Sequence, residues 1–72
     1  MDREFLRASF DSALSTLSPD HRAVLILKEV EDLSYQEIAQ AVGCSMGTVM
    51  SRLFYARKKM QSELKDIYEQ LG

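Results

Sequence analysis

The 72-residue chain has one cysteine, one proline and three glycines, and each scarcity removes a class of protein. A lone Cys44 cannot close an intrachain disulfide, so the fold has to stand on its apolar core. Cys44 and His21 are the only soft metal ligands, short of the three or four that a zinc site takes, and neither a metal nor another cofactor is expected. His21 is paired with no serine or cysteine nucleophile at a recognisable spacing, so the chain reads as a protein that is not an enzyme. Long apolar runs are missing as well. The longest, Ala23 to Leu27, falls far below the roughly 20 residues of a membrane-spanning helix. Met1-Asp2-Arg3-Glu4 lacks the apolar core of a signal peptide. The expectation is a cytoplasmic monomer with no membrane partner.

Apolar residues make up 46% of the chain against 28% charged, a balance that excludes a disordered tail and, with so few helix breakers, points to a folded helical domain. A chain of this size buries only about 60% of the surface its unfolded form exposes, which leaves room for one core and one domain over residues 1–72.

The net charge of −2 conceals a division. Residues 1–44 carry four basic side chains, Arg3, Arg7, Arg22 and Lys28, against eight acidic ones, a net of −4. From Ser45 to Gln61 there is no acid at all, while Arg52, Arg57, Lys58 and Lys59 are all positive. Lys and Arg that neutralise phosphates supply most of the sequence-independent energy of nucleic-acid binding, so this segment is where a phosphate backbone would be accepted. Glu63, Asp66 and Glu69 would be repelled, so such contact should end near Gln61. Four charges alone describe a solvated basic face equally well, and the architecture has to decide.

Apolar periodicity predicts four helices. Leu6, Phe10, Ala13, Leu14 and Leu17 form one stripe, giving a first helix over about 3–16. Ser18-Pro19-Asp20 then supplies an N-cap hydroxyl, a proline where its missing N–H costs nothing, and an acid at the positive end of the helix dipole. The second helix runs over 19–31 through Val24, Leu25, Ile26, Leu27 and Val30. Ser34-Tyr35-Gln36-Glu37 matches a capping box, with Leu33 and Ile38 placed as a hydrophobic staple, and opens a third helix over 35–42 that turns Ile38, Ala39 and Val42 inward. Gly43 ends it and Ser45 caps the next. Val49, Leu53, Ala56, Met60, Leu64, Ile67 and Leu71 then mark a fourth and longest helix over 46–70. Gly47 in its first turn costs about 1 kcal/mol relative to alanine, which signals either a helix packed against it or an outside body approaching the backbone. The far apolar end of this helix is expected to pack on the first, and Cys44 to pack in the turn.

A short helix, a glycine turn and a second helix make a helix-turn-helix, with Ala39 permitting close approach, Gly43 making the turn, and Val49 and Leu53 locking the second helix down. The fold class is therefore all-α, a small four-helix domain containing a helix-turn-helix with a long C-terminal recognition helix. In that geometry the N-terminal part of the second helix enters the major groove and presents Ser45, Met46, Thr48, Ser51, Arg52 and Tyr55.

Leu17-Ser18-Pro19, Arg22, Leu33 through Ala39, Gly43, Ser45, Gly47-Thr48-Val49, Ser51-Arg52-Leu53 and Ala56-Arg57 together resemble region 4 of the extracytoplasmic-function sigma factors, in register over about residues 17–60. The resemblance implies that the fourth helix reads the promoter −35 element of double-stranded DNA. Ser51, Arg52, Phe54 and Tyr55 would lie on the contact surface, with Thr48 and Arg57 nearer the phosphates. It further implies docking on the β flap of RNA polymerase core and covering by an anti-sigma factor. The −10-reading region of a complete factor has no counterpart in these 72 residues, so an excised domain is expected.

Two positions depart from the family. Met50 stands where Lys or Arg is frequent and Tyr55 where Arg is frequent, so Met50 is left to touch a thymine methyl or lie idle, and Tyr55 to donate to a phosphate. Phe54 either packs or meets a base, and its size favours packing. Two other functions share the fold: a sigma-like domain that occupies an anti-sigma factor without touching DNA, and the output domain of a LuxR-type response regulator. The acid-free stretch argues against the first, and Ser51-Arg52-Leu53 with Ala56-Arg57 against the second.

Overall fold

The computed structural model describes residues 3–71, with the Leu71 side chain, the last of the apolar stripe, outside the described set. Four helices account for it: α1 (Arg3–Leu14), α2 (Pro19–Glu29), α3 (Tyr35–Val42) and α4 (Met46–Leu71). The all-α fold with a helix-turn-helix and a long last helix stands as the sequence predicts. At 1.5 Å per residue, the 26 residues of α4 extend about 39 Å, close to the molecule's 41 Å long dimension. α4 is the spine, and each of the other three helices packs on it.

The local chemistry of the starts is direct. Ser18 accepts from the His21 amide with Pro19 at the head of α2. Ser34 and Glu37 close a full capping box, with Glu37 N to Ser34 Oγ at 3.1 Å and Ser34 N to Glu37 Oε1 at 2.9 Å. The ends are less regular. α1 stops at Leu14 because the amides of Thr16 and Leu17 bond to carbonyls three residues back, while the Ser15 and Thr16 hydroxyls take those of Ser12 and Ala13. α2 gives way at Val30 as Asp32 enters the left-handed region, φ 57°, a conformation that a short polar side chain tolerates. Lys28 ties this loop by donating to the Leu33 carbonyl at 3.2 Å and lying 5.0 Å from the centre of the Tyr35 ring.

The core is one cluster of Ala13, Leu17, Val24, Leu25, Ile38, Val49, Leu53, Ala56 and Met60. Ile38, Leu53, Val24 and Val49 are fully buried, each worth about 1.5–3 kcal/mol of transfer free energy. Leu33 and Ala39 pack against this cluster. Two stripe positions turn out differently from the periodic reading. Leu6 is exposed while Ser9 is buried, because α1 presents its 9–13 edge to α4, and Val30 is exposed because the helix has ended before it.

Candidate nucleic-acid interface

Gly43 is the hinge of the interface. It takes φ 73° and ψ 40°, the left-handed conformation that glycine adopts without a Cβ clash, and its amide and that of Cys44 both bond to the Ala39 carbonyl. Cys44 packs against the core, and two residues past the hinge α4 begins. Ser45 accepts from the Thr48 amide at 3.1 Å and donates to the Thr48 hydroxyl at 3.0 Å. The Ser45 hydroxyl is thereby spent as a cap, while the Thr48 hydroxyl keeps its own proton for an outside acceptor.

Val49 and Leu53 point into the core and fix the rotation of α4. Their complement is outward. Successive residues lie 100° apart, so Gly47, Ser51 and Lys58 stand nearly opposite the buried line, with Met50 and Phe54 on one flank and Thr48, Tyr55 and Lys59 on the other. The packing expected for Phe54 does not occur. Leu53 takes the inward direction, and Phe54, one residue round, is 60% exposed with its ring 5.2 Å from that of Tyr55 in an edge-to-face pair. Met46 and Met50 are exposed as well. Gly47 resolves in the same sense. A Cβ there would meet only the Ser45 hydroxyl, at 3.9 Å, so no packed helix accounts for the glycine.

The four cations are not equivalent. Arg57 bonds Glu29 of α2, with Nη2 to Oε1 at 2.6 Å and Nε to the same oxygen at 2.8 Å. The hydrogen bond that Arg57 donates to Glu29, with the Glu29 charge and a further bond donated to the Tyr35 hydroxyl oxygen, pushes the guanidinium above its already high range. Lys59 pairs with Glu63 one turn on, at 3.2 Å. Arg52 is partly covered and lies along the start of α2, 3.9 Å from the Cys44 sulfur and 3.8 Å from Asp20, contacts long enough to be weak. Lys58 stands 6.0 Å from the centre of the Phe54 ring and, among the described residues, has no carboxylate at ion-pair distance. Tyr35, Met50, Phe54, Arg57 and Lys58 border an open groove of about 590 Å³ along this side of α4.

Ser45 caps α4, and Met46, Thr48, Met50, Ser51, Arg52, Phe54, Tyr55, Lys58 and Lys59 lie along its first 14 residues, with Arg57 at the margin drawn toward α2. The sequence reading missed Tyr35 as a wall of the groove and the carboxylates of Asp20 and Glu29 that engage the arginines. The Lys59–Glu63 pair was signalled by its spacing of four, whereas Glu29 and Arg57 stand 28 residues apart and left no local trace.

A helix-turn-helix whose second helix shows an acid-free, hydroxyl- and base-bearing face defines a class, the major-groove DNA-binding domains. Within that class the chain belongs to the family described as "Sigma-70, region 4", whose model matches residues 7–60. It is 39% identical over 59 residues to the ECF RNA polymerase sigma factor SigE of Mycolicibacterium smegmatis, covering 82% of this chain and 23% of that protein. It is 37% identical over 67 residues to the RNA polymerase sigma-H factor of Pseudomonas aeruginosa, covering 93% of this chain and 35% of that one. The ECF RNA polymerase sigma-E factor of Haemophilus influenzae is 34% identical over 67 residues, with the same coverage of 93% and 35%. The chain therefore spans between about a quarter and a third of the length of the curated relatives it matches. Among the described residues no helix is long and apolar enough to cross a membrane.

Proposed function

We propose that this chain is the promoter-reading module of an alternative sigma factor, which places the N-terminal half of α4 in the major groove of the −35 element. The observation that carries the reading is the outward face of α4 from Ser45 to Gln61, free of acids and rotated away from the core by Val49 and Leu53, in a chain of the sigma-70 region 4 family. In this reading Ser45 positions the helix start. Thr48, Arg52, Lys58 and Lys59 address phosphates, and Ser51, Met50, Phe54 and Tyr55 face base edges. RNA polymerase core holds the domain through its β flap, an anti-sigma factor covers it when transcription is not wanted, and the domain itself acts as a cytoplasmic monomer with no chemistry of its own. Binding by the isolated domain is weak and strongly salt-dependent, since few cations oppose an acidic remainder.

The test is a chemical-shift titration of the labelled chain at low salt with a duplex selected from a random pool and with an unrelated duplex. Saturable shifts from Ser45 to Lys59, larger for the selected duplex, are the expected result. A folded sample whose resonances move with neither duplex overturns DNA reading and leaves protein binding as the use of this face. Arg52→Ala is expected to weaken the complex and to lower its salt slope by about one unit without unfolding the domain, whereas Leu53→Asp unfolds it by burying an unpaired charge.

A further inference from the structure

We propose that α4 selects its site by the 5-methyl groups of thymines, read through the apolar row of Met46, Met50 and Phe54, in place of guanines read through its arginines; the inference rests on the promoter-binding function proposed above. These three residues follow one another at spacings of four, so they form a single ridge along the N-terminal half of α4 that winds toward its outward face. Their exposures are 45%, 49% and 60%. None of the three belongs to the core or packs against it. The core is closed without them, and Met50 and Phe54 border the groove walled by Tyr35. Apolar side chains left together on a monomer's surface mark a contact site.

The partner's chemistry follows from what surrounds the ridge. Lys58 continues the same row at the next spacing of four, and no acid lies between Ser45 and Gln61, so the ridge is framed for a polyanion. Within the major groove the thymine methyl is the apolar group on offer, whereas guanine asks for a guanidinium that presents two donors outward. Neither arginine of this half is placed to do that. Arg57 is held by Glu29 with both Nη2 and Nε, and Arg52 lies back over Cys44 toward Asp20. The Phe54 and Tyr55 rings lie 5.2 Å apart in an edge-to-face pair, both exposed, which adds aromatic surface beside the ridge. Duplexes rich in thymine along the strand that faces this ridge are therefore the sites that the domain prefers.

The experiment uses the 72-residue chain with isotope-labelled methionine methyls and a duplex selected from a random pool at low salt, together with copies of that duplex in which deoxyuridine replaces each thymidine in turn. The Met46 and Met50 methyl resonances are expected to shift on binding. Loss of a contacted methyl is expected to weaken binding about fourfold, the factor for one buried methylene-sized group. Met50→Ala and Phe54→Ala, both at exposed positions and checked for fold by circular dichroism, are each expected to lose discrimination between thymidine and deoxyuridine at one contacted position and to keep it at the others. Met50→Arg is expected to move the preference at the contacted base from thymine toward guanine. Saturable binding that is indifferent to every deoxyuridine replacement overturns methyl readout while leaving promoter binding in place. The absence of saturable binding to any duplex overturns both.

Discussion

Gly47 and Gly43 sit four residues apart and are glycines for different reasons. Gly43 needs the left-handed backbone that its turn imposes, and φ alone accounts for it. Gly47 has an ordinary helical backbone and open space beside it, so within the domain an alanine would fit better. Gly47→Ala is therefore expected to raise stability by about 0.4–1 kcal/mol in a thermal melt while weakening binding of the selected duplex in the same titration, because the added methyl occupies the space through which a phosphate backbone approaches. A variant that is stabilised and binds undiminished would remove Gly47 from the interface. At this scale much was legible in the sequence. Ala39, Gly43, Val49 and Leu53 follow from the size and shape that each position demands. Phe54 was legible only in part: the family resemblance put it on the contact surface, whereas its size alone favoured packing, and the rotation fixed by Val49 and Leu53 turns it outward.

Helix starts were readable because they depend on neighbours within four residues, as the pairing of Ser34 with Glu37 shows. Helix ends were less so. The last turn of α1 is settled by the Ser15 and Thr16 hydroxyls competing for carbonyls, and that of α2 by Asp32 entering the left-handed region, and neither leaves an apolar pattern to read. The capping box also carries a pH dependence. The Ser34 amide, and after it the Ser34 side chain, hold the Glu37 carboxyl below the usual carboxylate range. A carboxyl whose folded value is depressed contributes its stabilisation above the unfolded value and loses it as pH falls through the folded one. The N-terminus of α3 is thus expected to be intact at neutral pH and to fray below about pH 4, read as faster hydrogen exchange of the Ser34 amide once the intrinsic rate is divided out. Glu37→Gln is expected to flatten that dependence, since the amide oxygen accepts the same bond without titrating. A wild-type profile as flat as the variant's would show that the carboxylate does not hold the cap.

Across the whole molecule the Glu29–Arg57 pair joins α2 to the margin of the candidate interface and draws one cation away from it. Both side chains are half exposed, so the pair contributes only about 0–1 kcal/mol to stability. Glu29→Gln is expected to leave the melting temperature nearly unchanged while releasing Arg57 to phosphate, which steepens the slope of log affinity against log salt by about one unit. An unaltered slope would mean that Arg57 stays out of reach of DNA even when free.

The spine α4 carries Arg52, Arg57, Lys58 and Lys59 in its first half and Glu63, Asp66 and Glu69 in its second, with Lys65 the one basic residue among them, and the peptide dipoles of the helix are aligned in the same sense, positive toward Met46. In the field of a polyanion such a rod feels a torque as well as a pull. In the promoter-reading role proposed above, a domain approaching DNA is biased toward the orientation in which the Met46 end leads. The acidic surplus that would lower affinity in that role would thereby also shorten the orientational search, so that fewer collisions are wasted.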